Sequence, residues 1–187
     1  MRILETKLEG VLIIEPDVFS DGRGFFMETY HQKRYAGQGL KDIFVQDNLS
    51  YSAHGTLRGL HYQHPHGQAK LVQAVSGEIY DVAVDIRRDS PTFGQWVGAQ
   101  LSDEDQRQLY IPEGFAHGYC VVSETALVMY KCSGFYAPDH EKGILWSDPG
   151  LGIAWTIENP LLSDKDGQSP CLHNVDPESL PLYNSDR

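Results

Sequence analysis

The 187-residue chain is 41% hydrophobic and 11% aromatic, which excludes general disorder and supplies one sizeable core. A formal net charge of −11 disfavours nonspecific binding to nucleic acid phosphates, so an anionic ligand would need a local cluster of Arg and Lys. The three cysteines, Cys120, Cys132 and Cys171, form no CxxC pair and point to neither a disulfide framework nor a zinc knuckle.

In chain order, residues 11–15 read as a strand that stops at Pro16. The apolar run 11–14 is too short for a signal-peptide core. No stretch approaches the ~18 apolar residues of a membrane span, so a cytoplasmic protein with no membrane and no nucleic acid partner is the expectation. Asp21-Gly22 and Gly24 mark a turn, after which 25–30 reads extended. Residues 30–39 look helical and end at Gly37 and Gly39. Strand character resumes at 43–50, turns at 53–55 and continues through 57–63. Residues 69–76 and 78–87 read as a hairpin closed at Gly77. In its second arm Tyr80, Val82, Val84 and Ile86 alternate with Asp81, Ala83, Asp85 and Arg87. Further strands fall at 95–101, 108–111, 117–122 and 127–135, and 102–106 offers a short helical turn capped by Ser102. Beyond Phe135 the chain is punctuated by Pro138, Pro149, Pro160, Pro170, Pro177 and Pro181. That tail reads as an ordered arm or lid, with Trp146, Trp155, Leu161 and Leu162 to bury. Strands at roughly ten-residue spacing with little helix predict one all-β domain over 1–187, an antiparallel sandwich or barrel.

The chemistry concentrates at 58–77, RGLHYQHPHGQAKLVQAVSG. Three of the eight histidines fall within six positions there, a density that implies metal binding, acid–base work or a solvated loop. His64-Pro65-His66 followed by Gly77 resembles a cupin metal motif, but Lys70 stands where the carboxylate ligand would be. A charged ammonium repels a cation and offers it no lone pair, so no metal is expected and His64 and His66 read as loop residues. His61 lies within an apolar strand instead. Pro112-Glu113-Gly114-Phe115-Ala116-His117 is the second cupin-like signal, although Val121 replaces its closing Asn, and it aims His117 at the cavity His61 faces.

Several blocks then occur in order: Asp21-Gly22-Arg23-Gly24-Phe25-Phe26-Met27-Glu28, Gln46-Asp47-Asn48, Arg58-Gly59-Leu60-His61-Tyr62-Gln63 and Lys70-Leu71-Val72. Tyr80-Asp81-Val82-Ala83-Val84-Asp85, Pro112 to Gly118 and Ser163-Asp164-Lys165-Asp166 follow. From about Arg23 to Asp166 the chain closely resembles the dTDP-4-dehydrorhamnose 3,5-epimerase family of nucleotide-sugar enzymes. The resemblance implies a cupin-type jelly roll with a C-terminal arm, no cofactor, a dTDP-sugar substrate and a homodimer with exchanged N-terminal strands. It implies His61 as base, Asp166 as its orienting carboxylate, Tyr130 as the acid on the opposite face and Lys70 as the enolate stabiliser. By the same resemblance Arg23 and Arg58 hold the diphosphate, Phe26 and Tyr136 sandwich the thymine, and Glu28, Gln46 and Asn48 make polar contacts. Asp81 and His117 would lie near the hexose, and Glu141 and Lys165 match further binding positions. Arg23, Phe26 and Glu28 would reach the partner's site.

On the residues alone, Tyr130 reads as a packed strand aromatic, and Asp81 and Asp85 read equally well as solvent-facing or as lining a polar cavity. Ser163 to Gly167 alone reads as a polar turn. Lys165 and Asp166 have opposite parity, so a bend is needed for both to serve one site. Arg58 and His61 would point to opposite faces of a regular strand, so a bulge at Gly59 is predicted. The competing readings are a relative inverting only C3 or only C5, a metal-dependent cupin oxygenase using His61, His64, His66 and His117, and a non-catalytic sugar-binding cupin.

Overall fold

Two antiparallel sheets face each other and enclose the core. The computed structural model describes residues 1–183. Its strands are β1 (Arg2–Glu5), β2 (Leu12–Glu15), β3 (Val18–Asp21), β4 (Gly24–Met27), β5 (Gln46–Ala53), β6 (Leu57–Gln63) and β7 (Lys70–Ser76). Then come β8 (Glu78–Asp85), β9 (Trp96–Ser102), β10 (Gln108–Ile111), β11 (Phe115–Val121), β12 (Thr125–Cys132) and β13 (Glu141–Gly143). Helices are short: α1 (Gln32–Gly37) and α2 (Asp164–Gly167). The first sheet runs β1-β2-β10-β7-β12-β5, the second β13-β6-β11-β8-β9, and β3-β4 forms a separate two-stranded hairpin. This is the all-β jelly roll expected, with the helical stretch at 30–39 and the strand at 57–63 where the sequence reading put them.

Between the sheets, Val72, Ala74, Leu109, Ile111 and Val128 pack against Ile79, Ala83, Leu101, Phe115 and Val121. The outer face of the second sheet is covered as well: Leu60, Val82, Val84 and Ile144 meet Leu151, Leu172, Leu180 and Trp155 of the C-terminal arm. Strand β8 is therefore buried on both faces, and its period of two separates two apolar environments rather than core from water. Asp85 shows what that burial demands of a charge. It is fully buried, neither solvent-facing nor at a cavity, and accepts from Arg87, Ser90 and Thr92, so every polar oxygen is satisfied.

The expected hairpin at Gly77 does not form. β7 pairs with β10 and β12 in the first sheet, whereas β8 pairs with β9 and β11 in the second. Gly77 is instead the corner where the chain changes sheets. Its φ of +76° suits glycine, and a Cβ there would lie 2.1 Å from the Thr125 carbonyl oxygen. A glycine between two strand-like runs signals a sharp turn but carries no information on whether the strands pair across it.

The arm is anchored by backbone. Leu161 N–H donates to Gly55 O, Leu57 N–H donates to Leu161 O, and Leu145 N–H donates to Pro170 O. The side chain of Leu161 is 61% exposed, contrary to the expectation that it would be buried. Trp155 packs on the core and its indole N–H donates to Trp146 O. Ser102 makes the local contact anticipated, its hydroxyl accepting from Asp105 N–H, within a turn rather than a helix.

Candidate active site

A cavity of about 610 Å³ opens between the two sheets near one end of the sandwich. The first sheet contributes Gln46, Asn48 and Ser50 from β5, Lys70 from β7, and Tyr130 and Cys132 from β12. From the second come Arg58, His61, Tyr62 and Gln63 of β6, His117 and Tyr119 of β11, and Glu141 of β13. Tyr136 and the arm residues Leu161, Leu162, Ser163, Lys165 and Asp166 close the rim.

A bulge puts two of these residues on the wall. Three steps on β6, from Arg58 to His61, span two steps on β11, from Tyr119 to His117. The extra residue turns both Arg58 and His61 inward, as predicted from their parity. Gly59, with φ of +131°, crosses Gly118 so closely that a Cβ would lie 2.5 Å from the Gly118 Cα. The Gly59 amide left over by the bulge donates to the Asp166 carboxylate.

Asp166 arrives on α2, whose N-cap Ser163 accepts from the Asp166 amide through its hydroxyl at 3.2 Å. This single helical turn supplies the bend that brings both Lys165 and Asp166 to the cavity. Asp166 Oδ1 lies 2.6 Å from His61 Nε2. Burial pushes the Asp166 carboxyl up, but the His61, Ser163 and Gly59 hydrogen bonds outweigh it and hold the group below its ordinary range. With Nε2–H donated to a carboxylate, Nδ1 is the nitrogen that keeps a free lone pair.

Lys70 and Tyr130 stand side by side on the first sheet, because Val72 pairs with Tyr130 and Lys70 with Cys132. Burial lowers the Lys70 pKa, partly offset by the Cys132 thiol, Asp81 and Glu141. The phenol of Tyr130 is pushed up to about 12, first by burial and then by Cys132 and Tyr119, so it carries its proton at neutral pH. A histidine on one sheet thus faces a protonated phenol and a lysine side chain on the other.

The rim is a second polar cluster. Glu141 accepts from the Tyr136 hydroxyl at 2.9 Å and from the Lys165 ammonium. Burial raises the Glu141 carboxyl, and these two donors reverse that and hold it low. Gln46 accepts from the Tyr136 amide and donates to Asn48, while Arg58 donates twice to Ser52 Oγ.

Other expected positions fall elsewhere. Asp81 is fully buried behind His117, accepting from Nε2 at 2.9 Å, and does not line the cavity. Its strand alternation points it inward, but His117 occupies the wall in front of it. Arg23, Phe26 and Glu28 lie on or just after the β3–β4 hairpin and do not line this chain's cavity. Arg23 is 90% exposed and paired with Asp21, and Glu28 pairs with Arg34. His64 and His66 stay outside the cavity; His66 meets the His140 ring in the loop. Tyr119 and Ser50 were missed, although Tyr119 stands two residues from His117 and so shares its face. Among the described residues one group of potential metal ligands converges, Asp148, Cys171 and His173 in the arm. There the Asp148 oxygens already accept from the Gly150 and Leu172 amides, so it serves as a backbone latch.

The model of the dTDP-4-dehydrorhamnose 3,5-epimerase family matches residues 5–174. The chain belongs to this family. It is 58% identical over 168 residues to the Shigella flexneri dTDP-4-dehydrorhamnose 3,5-epimerase, covering 89% of this chain and 93% of that protein. The Pseudomonas aeruginosa dTDP-4-dehydrorhamnose 3,5-epimerase is 52% identical over 178 residues, covering 94% and 98%. Among solved structures, the Legionella pneumophila dTDP-6-deoxy-D-glucose-3,5-epimerase in complex with dTDP-4-keto-L-rhamnose superposes with a TM-score of 0.96 at 49% identity. That match covers 98% of this chain and 99% of the other.

Proposed function

We propose that this member of the epimerase family is an isomerase that inverts C3 and C5 of dTDP-4-dehydro-6-deoxy-D-glucose, giving dTDP-4-dehydro-L-rhamnose. The observation that carries the reading is the placement of an oriented histidine and a protonated phenol on opposite sheets of one cavity, with the half-buried Lys70 beside the phenol.

The C4 ketone acidifies the hydrogens on C3 and C5. His61 Nδ1 takes the proton from one carbon, and Asp166 supports the imidazolium that forms. The C–H electron pair moves onto the C4 oxygen, where the Lys70 ammonium stabilises the developing charge. Tyr130 then delivers a proton to the same carbon from the other face, leaving a phenolate and an imidazolium that reset by proton exchange. Repetition at the second carbon completes the double inversion. A positioned acid or base of this kind contributes ~10²–10⁴-fold.

The nucleotide half is read from the rim. Arg58 contacts the diphosphate. Tyr136 covers one face of the thymine, Gln46 and Asn48 offer polar contacts, and Glu141 and Lys165 close over the ligand. His117 stands beside the hexose with Asp81 as its anchor. Arg23, Phe26 and Glu28 complete the site of a second copy in a homodimer. Supporting this, the β3–β4 hairpin pairs with neither main sheet among the described residues, and it leaves Phe19, Phe25 and Phe26 exposed.

The test is turnover of dTDP-4-dehydro-6-deoxy-D-glucose in deuterated water. Label entering both C3 and C5 supports double epimerisation. Label at a single carbon, or none, overturns it.

A further inference from the structure

Tyr119 reaches from one sheet to the other at the cavity. Its ring is buried in the core between the sheets, 3% exposed, and the partly buried Tyr130 packs against that same cluster. Tyr119 belongs to β11 in the second sheet, whereas its hydroxyl lies 2.7 Å from Ser50 Oγ on β5 of the first. Ser50 and Asn48 share a face of β5, and Asn48 is the residue in register with Tyr130 on β12. The tether therefore ends next to the strand position that carries the phenol.

Tyr130 needs such a support. Among the described residues its hydroxyl has no hydrogen bond like the one Asp166 gives His61, so packing alone sets its direction. Double inversion makes that direction matter, because one phenol must deliver protons to two carbons on either side of the C4 carbonyl. A shift of about 1 Å in a reacting group can cost ~10²-fold.

We propose that Tyr119, held by Ser50, is a positioning residue that sets the placement of the Tyr130 phenol and with it the division of reprotonation between C3 and C5. The inference rests on the epimerase reading above. Tyr119→Phe removes the tether and keeps the ring; Ser50→Ala removes its main partner and leaves the Tyr119 hydroxyl only the weaker contact with Ser52.

The experiment is turnover in deuterated water with label counted separately at C3 and C5, alongside kcat and KM for wild type, Y119F, S50A and S50T. Y119F and S50A are expected to lower kcat by about 10-fold, keep KM within about two-fold and shift the C3 to C5 label ratio in the same sense. S50T, which restores a hydroxyl, should move the ratio back towards wild type. A purely structural role would lower the melting temperature without changing that ratio. Wild-type ratio and kcat in both Y119F and S50A overturn the proposal while leaving the epimerase reading intact. Wild-type protein that takes up no label overturns both.

Discussion

His61 and His117 are in register opposite each other on neighbouring strands, and each imidazole is tied to its own aspartate, Asp166 and Asp81 respectively. The two pairs differ in surroundings. The side chain of His61 is 28% exposed and has the arm for a partner; that of His117 is 6% exposed and is backed by the core. Both line the cavity, and His61 is the more open of the two.

Replacing Asp166 by Asn therefore tests orientation rather than binding. Asp166→Asn should reduce kcat by ~10²–10⁴-fold, with nucleotide affinity retained in a titration with dTDP. A variant with wild-type kcat would remove Asp166 from the mechanism.

Lys70 carries a pH signature. Burial lowers its pKa, so the ammonium is lost on the alkaline side earlier than for a solvated lysine. Activity should accordingly be present below that lowered pKa and fall as pH rises through it. Lys70→Met should abolish the alkaline limb together with most of the turnover. A pH–rate profile with the same alkaline limb in the residual activity of K70M would assign that limb elsewhere.

His117 predicts acid sensitivity of the fold. Its pKa is depressed, with burial outweighing the opposing pull of Asp81. The unfolded chain thus binds the proton more readily than the native one, and stability is present above the unfolded histidine pKa of ~6.5 and declines as pH drops below it. Urea midpoints measured from pH 7.5 to 5 should decline less steeply for His117→Gln. Equal slopes would count against a buried neutral His117.

Gly59→Ala should fail to fold or lose several kcal/mol, on the order of a severe core substitution. Both the positive φ and the contact with the Gly118 backbone oppose a Cβ, and neither neighbour is a flexible side chain. Thermal melting of G59A against wild type checks this, and near-wild-type stability would refute the tight crossing.

Exchange of the hairpin can be read by complementation. Arg23→Ala and His61→Ala are each expected to be inactive. If Arg23 serves the partner's site, unfolding and refolding the two together restores activity, because one site of the hybrid dimer holds both native residues. A mixture as inactive as its components would place Arg23 in its own chain's site.

Much of this arrangement was legible in the residues. The β6 boundaries followed from the turn at 53–55 and the extended run after it, the bulge from the parity of Arg58 and His61, and the cavity-facing His117 from its turn motif. The partner of each strand was not, since pairing is set by contacts far apart in sequence; hence β7 and β8 read as a hairpin. Asp81 was left between solvent and a cavity wall, and it is at neither: its buried place behind His117 depends on a neighbouring strand. Tyr119 was hidden because an aromatic in an apolar strand looks like core, and it is core except for its hydroxyl.

The dyad at the heart of the site joins residues 105 positions apart, and its carboxylate rides on an arm attached near the end of the chain. A cut before Asp166 would remove the carboxylate partner of His61 and, with Leu172 and Leu180, part of the cover of the second sheet. Orientation of the imidazole and closure of the outer apolar layer are thereby bound to one segment of the chain.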